Sequence, residues 1–467
     1  MSGCKNYEIN VFRKFEPYQN IVLLDSAGDT VENNRYTYLA VDPLCTFKVS
    51  KNKFFQNNIE KKINIRSFLK SLLKKCAHKK VKGVPNFQCG LSGYVSYDFC
   101  LNIENVTPIE KKPNDYADVN IGLFDLVFAF DLKLKKTFLF SLDLDHTNFC
   151  SKDIAHNERR KKLLNFYKLP YITHSKPDNL RFNWKPEITK KTYKKNIKKI
   201  IAFIENGDIF QTNFTHKYIT QKKSNLSDQH IYLNFRHKTT TPFSAYLNFS
   251  DICICSYSPE RFIKIIDNKV ITSPIKGTIK KSSDRAKDHK LIKKLKESKK
   301  NLAENLMIVD VLRNDISRIC KKGSVKVKEL ATIKSYRNVH HLVSTITGKM
   351  NKNMDVIDVL GATLPGGSVT GAPKIRAMEV ISELEKSNRG VYCGAIGYIS
   401  FSQDADFNIP IRTVTIFNDQ ISINCGGGIV FDSKPESEFQ ESIDKISNII
   451  KNGKQKLMGT EKRIIIK

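Results

Sequence analysis

Up to about residue 165 the chain alternates short apolar runs with turns, at Ile21 to Asp25, Tyr36 to Val41, Leu91 to Tyr97 and Ile121 to Phe140. Runs of that length bounded by turn residues predict antiparallel strands, since successive side chains of a strand point to opposite faces. Ile65 to Cys76 reads instead as a helix. Residues 150 to 190 are polar and lysine-rich, with Pro170, Pro177 and Pro186, which predicts a connection. From Thr189 the period changes. Tyr193, Ile197, Ile200, Ile201 and Ile204 fall on one helical face, and Asn206 with Gly207 makes a natural stop.

Helical spacing returns at Glu304, which is expected to begin a mostly buried helix striped by Leu306, Val309, Leu312, Ile316 and Ile319, with Met307 and Val311 widening the stripe. The glycine-rich stretch Pro365 to Glu379 feeds another helix with Ile375, Met378 and Ile381 inward. Val391 to Phe401, Ile409 to Phe417 and Ile421 to Asp432 read as a meander, whose alternation lets Tyr392 and Arg412 share one face of a sheet. Beyond Gly426, Gly427 and Gly428, Ser433 and Glu436 can close a capping box with Pro435 in the first turn. Phe439, Ile443 and Ile446 then mark a buried side, and Glu438, Glu441 and Lys445 share another. Pattern alone supports a mixed α and β protein.

Composition changes this picture little. A chain of 467 residues can bury a large core. Its 11 cysteines are scattered, with no CxxC pair and only Cys253 and Cys255 close together, so reduced thiols are expected. No apolar run reaches the ~18 residues of a membrane span and the first ten residues lack a signal-peptide pattern, so the protein reads as cytoplasmic. The formal charge of +31 would ordinarily raise nucleic-acid or membrane binding. The lysines are spread along the whole chain, however, and no helix-turn-helix, zinc-finger or aromatic-basic signature accompanies them, so neither partner is expected. The excess charge suits a dianionic substrate instead.

The chemistry concentrates in a few places. Pro274, Ile275, Lys276, Gly277 and Thr278 put one lysine in a tight, apolar-flanked turn. Most lysines are solvated charges, but an amine becomes a nucleophile when desolvation or a neighbouring cation lowers its pKa. Glu304 reads either as a helix cap or as a functional carboxylate, and Glu441 with Lys445 either as an exposed i, i+4 pair or as a site. The triple glycine offers backbone N–H groups at close approach, although most such runs are flexible turns. Pro365 to Glu379 lacks the GK[ST] of a phosphate loop, so nucleotide binding is not expected.

Taken together, SPERF (Ser258 to Phe262), PIKGT, AENLMIVDVLRND (Ala303 to Asp315) and GGGIVFDSKPESEFQESIDKI from Gly426 resemble the chorismate-utilising enzymes, and within them the large subunits of aminodeoxychorismate synthase. The likeness is dense from about Ile200 to Ile450. It implies an α+β fold of two large antiparallel sheets packed face to face with helices outside, in an N-terminal portion over 1–165 and a chorismate-binding portion over 189–452. It implies Lys276 as nucleophile, Glu260 as acid and His341 near the leaving hydroxyl, with His340 as the decoy. Gly277, Thr278, Thr370, Tyr392, Arg412, Gly426, Gly427, Gly428 and Lys445 would contact substrate, and Glu304 and Glu441 would hold magnesium, a metal that suits two carboxylates and several waters. The implied reaction is amination of chorismate at C4, with ammonia from a separate glutaminase subunit, because this chain shows no nucleophile-elbow cysteine. In anthranilate synthase the position of Lys276 is typically alanine; that enzyme and the isochorismate and salicylate synthases are the alternatives. Ser26, Arg35, Tyr36, Pro242, Phe243 and Ser244 resemble the family's tryptophan pocket. The chain departs from the family after PIKGT, where Ile279, Lys280 and Lys281 replace a Pro, Arg pair.

Overall fold

The structure is a computed structural model that describes residues 7–27, 35–104, 106, 114–144, 155–170, 180–336 and 339–450. Two antiparallel sheets dominate it, as the resemblance implied. The first sheet runs in the order Lys185–Pro186, Gln211–Gln221, Gln420–Ile429, Thr413–Phe417, Ile252–Ser258, Phe243–Phe249, Ile21–Asp25, Tyr36–Val41, Leu126–Asp131 and Lys136–Ser141. The second runs from Ile275–Lys280 through Val339–Lys349, Lys269–Thr272, Arg261–Ile266, Ala405–Asn408, Ala395–Ser400, Gly90–Val95, Val119–Phe124 and Cys45–Ser50 to Lys53–Gln56 and Ile59–Lys61. In each sheet the early strands form one block and the late strands the other, joined where Ile21–Asp25 pairs with Phe243–Phe249 and where Gly90–Val95 pairs with Ala395–Ser400. Neither sheet could close from one end alone.

Period-two alternation explains the layers. In the strand Ile21–Asp25, Val22 belongs to the core between the sheets, shared with Leu91, Tyr94, Ile263 and Tyr398 of the second sheet. Its neighbours Ile21 and Leu23 point the other way, into a core covered by Ile9 and Phe12, Ile231 and Phe235, and Ile443 and Ile446 of three helices. Each buried aliphatic side chain contributes roughly 1.5–3 kcal/mol of transfer free energy. A one-residue slip of this strand would exchange the two sets.

The helix predicted from Thr189 is Lys190–Glu205, with Thr189 accepting from the Thr192 N–H and Asn206 closing the end. Ile65–Lys75 also forms, capped by Asn64. Other expectations need correction. The C-terminal meander splits: Ala395–Ser400 and Ala405–Asn408 lie in the second sheet, whereas Thr413–Phe417 and Gln420–Ile429 form a hairpin in the first. The chain changes sheets between them, and Tyr392 and Arg412 lie outside both strands. PIKGT is an edge strand, Ile275–Lys280, with a bulge between Ile275 and Thr278 rather than a turn. The helix assigned to Glu304 begins at Lys299 with Ser298 as its cap, so Glu304 is not a cap, and Leu306 is 58% exposed. Ile375 is likewise exposed on its helix Lys374–Leu384. Ser433 does not box with Glu436. Its hydroxyl donates to Glu438 at 2.7 Å, and Glu436 pairs with Lys190 and Lys194. The connection over 150–190 contains a helix, His156–Lys168, tied by His156 and Arg159 to the buried Asp125 at 2.8 and 2.6 Å; Pro177 lies outside the described residues. Eight described cysteines are free and buried, but Cys45 is in a disulfide, which corrects the all-thiol expectation there.

Candidate active site

A cavity of about 1660 Å³ opens where the glycine end of Gln420–Ile429 meets the edge strand Ile275–Lys280 and the helices Lys299–Ser317 and Pro435–Ile450. A bulge bends a strand and re-aims its side chains. Here Gly277, at φ +91°, carries the bulge, and Lys276 turns into the cavity. The ammonium is half-buried and donates to the Ser368 carbonyl at 3.3 Å. Burial holds its pKa below the usual lysine value, aided by Lys445 and opposed by Glu304, Glu260 and Glu441. Both routes to an activated amine are therefore present.

Glu260, 5% exposed, stands on the loop before the strand Arg261–Ile266 and lines the same cavity. Burial raises its pKa against the opposing pull of Ser368 and Lys276. A raised carboxyl beside a lowered amine is the arrangement expected of an acid and a nucleophile working at one pH.

The opposite wall is acidic. Glu304, Glu438 and Glu441 all line it, Lys445 bridges Glu441 at 2.9 Å and the Gly426 carbonyl at 3.0 Å, and Lys300 lies 3.8 Å from Glu438 and 4.0 Å from Glu304. Lys445 holds the Glu441 carboxyl below its usual range. Among the described residues no three His, Cys, Asp or Glu side chains are gathered closely enough to cage a metal ion. The donor set is nevertheless all carboxylate oxygen, and a hard cation that keeps several waters needs only one or two of them. Gly427 lies beneath this wall: a Cβ there would stand 3.0 Å from the Lys445 ammonium and 3.9 Å from Glu441.

Register sorts the two histidines. Thr278 pairs with His341 and Ile279 with His340, so they face opposite sides of the sheet. His341 lines the cavity and its Nδ1 meets the Thr278 hydroxyl at 2.8 Å. Burial, Arg412 and His340 push its pKa down to about 3, which leaves a neutral imidazole. His340 turns away to Ser335 and Asp288. Arg412, at φ +53° on the crossover between sheets, lines the cavity with Tyr392. It has no ion-pair partner among the described residues, and burial alone lowers its pKa. An uncompensated guanidinium in a desolvated cleft is a receptor for an anion. Thr370 is the exception: fully buried, its hydroxyl donates to Gly366 at 3.1 Å, and it lies behind the lining residues Ser368 and Val369.

Sequence reasoning missed several participants. Gln211 is fully buried with both side-chain polar atoms unpaired, and its amide nitrogen lies 2.6 Å from where a Gly428 Cβ would be, a point 3.7 Å from the Lys276 ammonium. Asn213 lines the cavity with its Oδ1 unpaired. Beneath them Arg389 donates to Glu385 at 2.7 and 2.9 Å and to the carbonyls of Val369 and Asn213 at 2.8 and 2.9 Å. That buried pair fixes the floor. Its i, i+4 spacing looks in sequence like any surface pair, and Gln211 and Asn213 stand on a strand, Gln211–Gln221, that is polar at most positions, so the sequence does not single them out.

A second cavity, of about 250 Å³, gathers all six residues compared with a tryptophan pocket: Ser26, Arg35, Tyr36, Pro242, Phe243 and Ser244. Its charges are mostly neutralised. Arg35 pairs with Asp131 at 2.7 Å, Arg261 with Asp406 at 3.0 Å, and Asp25 with Arg236 and Tyr232.

The profile of the chorismate binding enzymes matches residues 19–451. Aminodeoxychorismate synthase component 1 of Escherichia coli is 33% identical over 92% of both chains. Anthranilate synthase component 1 of Aquifex aeolicus is 31% identical over 95% of this chain and 91% of that one. Among solved structures, anthranilate synthase component I of Streptococcus pneumoniae superposes with a TM-score of 0.80 at 29% identity, covering 89% of this chain and 92% of that one.

Proposed function

The chain belongs to the chorismate-binding enzyme family, and from that premise we propose that it aminates chorismate at C4 to give 4-amino-4-deoxychorismate, the precursor of 4-aminobenzoate in folate synthesis. The observation that carries this reading is the half-buried Lys276, its pKa lowered, facing the cavity between the acid Glu260 and the acidic wall. The relatives split between two reactions, and the lysine favours amination at C4, because alanine typically stands there in anthranilate synthase.

Chorismate carries two carboxylates, an enolpyruvyl ether and a ring hydroxyl. Arg412 and Tyr392 take the enolpyruvyl carboxylate, and the N–H groups of Gly426, Gly427 and Gly428 lie close to the ring side. Glu260 gives its proton to the departing 4-hydroxyl, which leaves as water. As the C4–O bond breaks, the neutral Lys276 amine forms a bond to C2 and the ring double bonds shift. Ammonia then attacks C4, the double bonds shift back, and the C2–N bond to Lys276 breaks, restoring the amine. His341, neutral, orients the hydroxyl without carrying a charge of its own. Magnesium, held by Glu304 and Glu441, would supply electrostatic stabilisation of the charge that gathers on the ring carboxylate. Ammonia comes from a separate glutaminase subunit.

Chromatography of the products from chorismate, magnesium and ammonium tests the proposal. 4-Amino-4-deoxychorismate is expected, and EDTA should stop its formation until magnesium is restored. Fluorescent anthranilate formed without a lyase would assign the chain to the other reaction, and isochorismate would mean that water is the nucleophile.

A further inference from the structure

The main cavity, at about 1660 Å³, exceeds the roughly 300–1,000 Å³ of ordinary ligand pockets, so it includes an outer vestibule beyond the reacting centre. Lys238, Lys280, Lys281 and Arg285 line it, all exposed. Lys280 ends the strand that carries Lys276, two residues beyond Thr278 and therefore on the same face, so a row of side chains runs from the mouth towards the amine. None of the four is in an ion pair among the described residues. Six carboxylates share this lining with eight lysines and arginines: Glu441 is bridged by Lys445 at 2.9 Å, Glu438 and Glu304 lie 3.8 and 4.0 Å from Lys300, Asp288 accepts from the Ser282 N–H at 2.7 Å and meets His340 at 3.1 Å, and Glu260 and Asp444 complete the set. The mouth is therefore left with net positive charge on a concave, protein-walled surface, the geometry that focuses a field.

We propose that Lys280, Lys281, Arg285 and Lys238 form an electrostatic vestibule that concentrates the dianionic substrate at the mouth and hands it inward to Arg412. This rests on chorismate as the substrate, and it gives a local role to a part of the +31 charge. The departure from the family after PIKGT, where Lys280 and Lys281 stand, falls within this vestibule.

The test is the salt dependence of chorismate consumption, followed whatever product forms, at constant magnesium and ammonium. Between about 25 and about 300 mM KCl the Debye length falls from roughly 20 to roughly 6 Å, and kcat/KM of the native enzyme should fall about tenfold. The variant K280Q/K281Q/R285Q should start about tenfold lower in kcat/KM at low salt and show a nearly flat salt response, with the loss in kcat/KM rather than in kcat. A control, K191Q/K195Q/K198Q, removes three exposed charges of the helix Lys190–Glu205 that do not line the cavity, and it should keep the native slope. A full slope in the vestibule variant, an equal flattening in the control, or a loss confined to kcat would each overturn the vestibule. Should the triple variant fold poorly, K280Q alone is read by the same slope, where an unchanged slope counts against the proposal. A wrong product sinks the amination reading and leaves the salt slope fully readable.

Discussion

The two cavities are built from similar residue types and differ in how their charges are settled. In the smaller one, Arg35, Arg261 and Asp25 each have an opposite charge in hydrogen-bond contact, and only Lys264 among its charged lining residues stands outside an ion pair within the described chain. In the larger one, Arg412 has no counter-charge among the described residues, Lys276 is held partly desolvated, and Glu260 is pushed towards its neutral form. Paired charges make a rigid wall with little left to offer. Unpaired and perturbed ones keep free energy in reserve for a ligand or a transition state, which is why shifted pKa values gather at reactive sites.

The largest effect that could break this contrast is at Lys276. Lys276→Ala should cut formation of aminodeoxychorismate by roughly 10⁴-fold or more with ammonium supplied, as removal of a covalent nucleophile does, measured by product chromatography. Full activity would show that the desolvated amine is only a structural feature. Next, Glu260→Gln should lose about 10²- to 10⁴-fold. The pH profile of kcat/KM sharpens the assignment. Lys276 must be neutral, so activity rises as pH rises through its lowered pKa; Glu260 must be protonated, so activity falls as pH rises through its raised pKa. In Glu260→Gln the high-pH limb should vanish and the low-pH limb remain. Persistence of both limbs would give the acid role to another group.

In the small cavity the largest effect should be on stability. Asp25 is fully buried against Arg236 and Tyr232, and Asp25→Asn removes the closer counter-charge of a buried guanidinium, leaving only Glu8 at 3.5 Å among the described residues. A loss of about 3–5 kcal/mol is expected in denaturant unfolding. A change below about 1 kcal/mol would mean that the pair holds nothing together. The smallest effect concerns ligand occupancy. If the six gathered residues take tryptophan, a hundredfold excess over Kd should stabilise the fold by about 2.7 kcal/mol, read as a rise in Tm that Phe243→Ala removes. No shift at millimolar tryptophan would leave the pocket as packing alone.

Much of this was legible in the residues. The strands Ile21–Asp25 and Tyr36–Val41 and the helices Ile65–Lys75 and Lys190–Glu205 follow from the local pattern, because the strands are short apolar runs buried on both faces and the helices bury one face and have capping residues beside them. His341 was separated from His340 by the family resemblance, and the strand register puts the two on opposite faces. The errors share a cause. The split meander, the exposed Leu306 and Ile375, and the Ser433–Glu438 bond in place of a capping box all depend on which element arrives from elsewhere in the chain.

The order of amino acids by itself determined the strands Ile21–Asp25 and Tyr36–Val41 and the helices Ile65–Lys75 and Lys190–Glu205, which lysine sits in an apolar setting, and which family the motifs resemble, since these depend on neighbours a few positions apart. Only the tertiary structure decided that Arg412 has no counter-charge among the described residues, that Glu385 and Arg389 clamp the floor, and that Thr370 stands behind the lining. Burial and pairing are properties of groups brought together over hundreds of residues. The free energy of a charge depends on that assembled surrounding far more than on its place in the sequence.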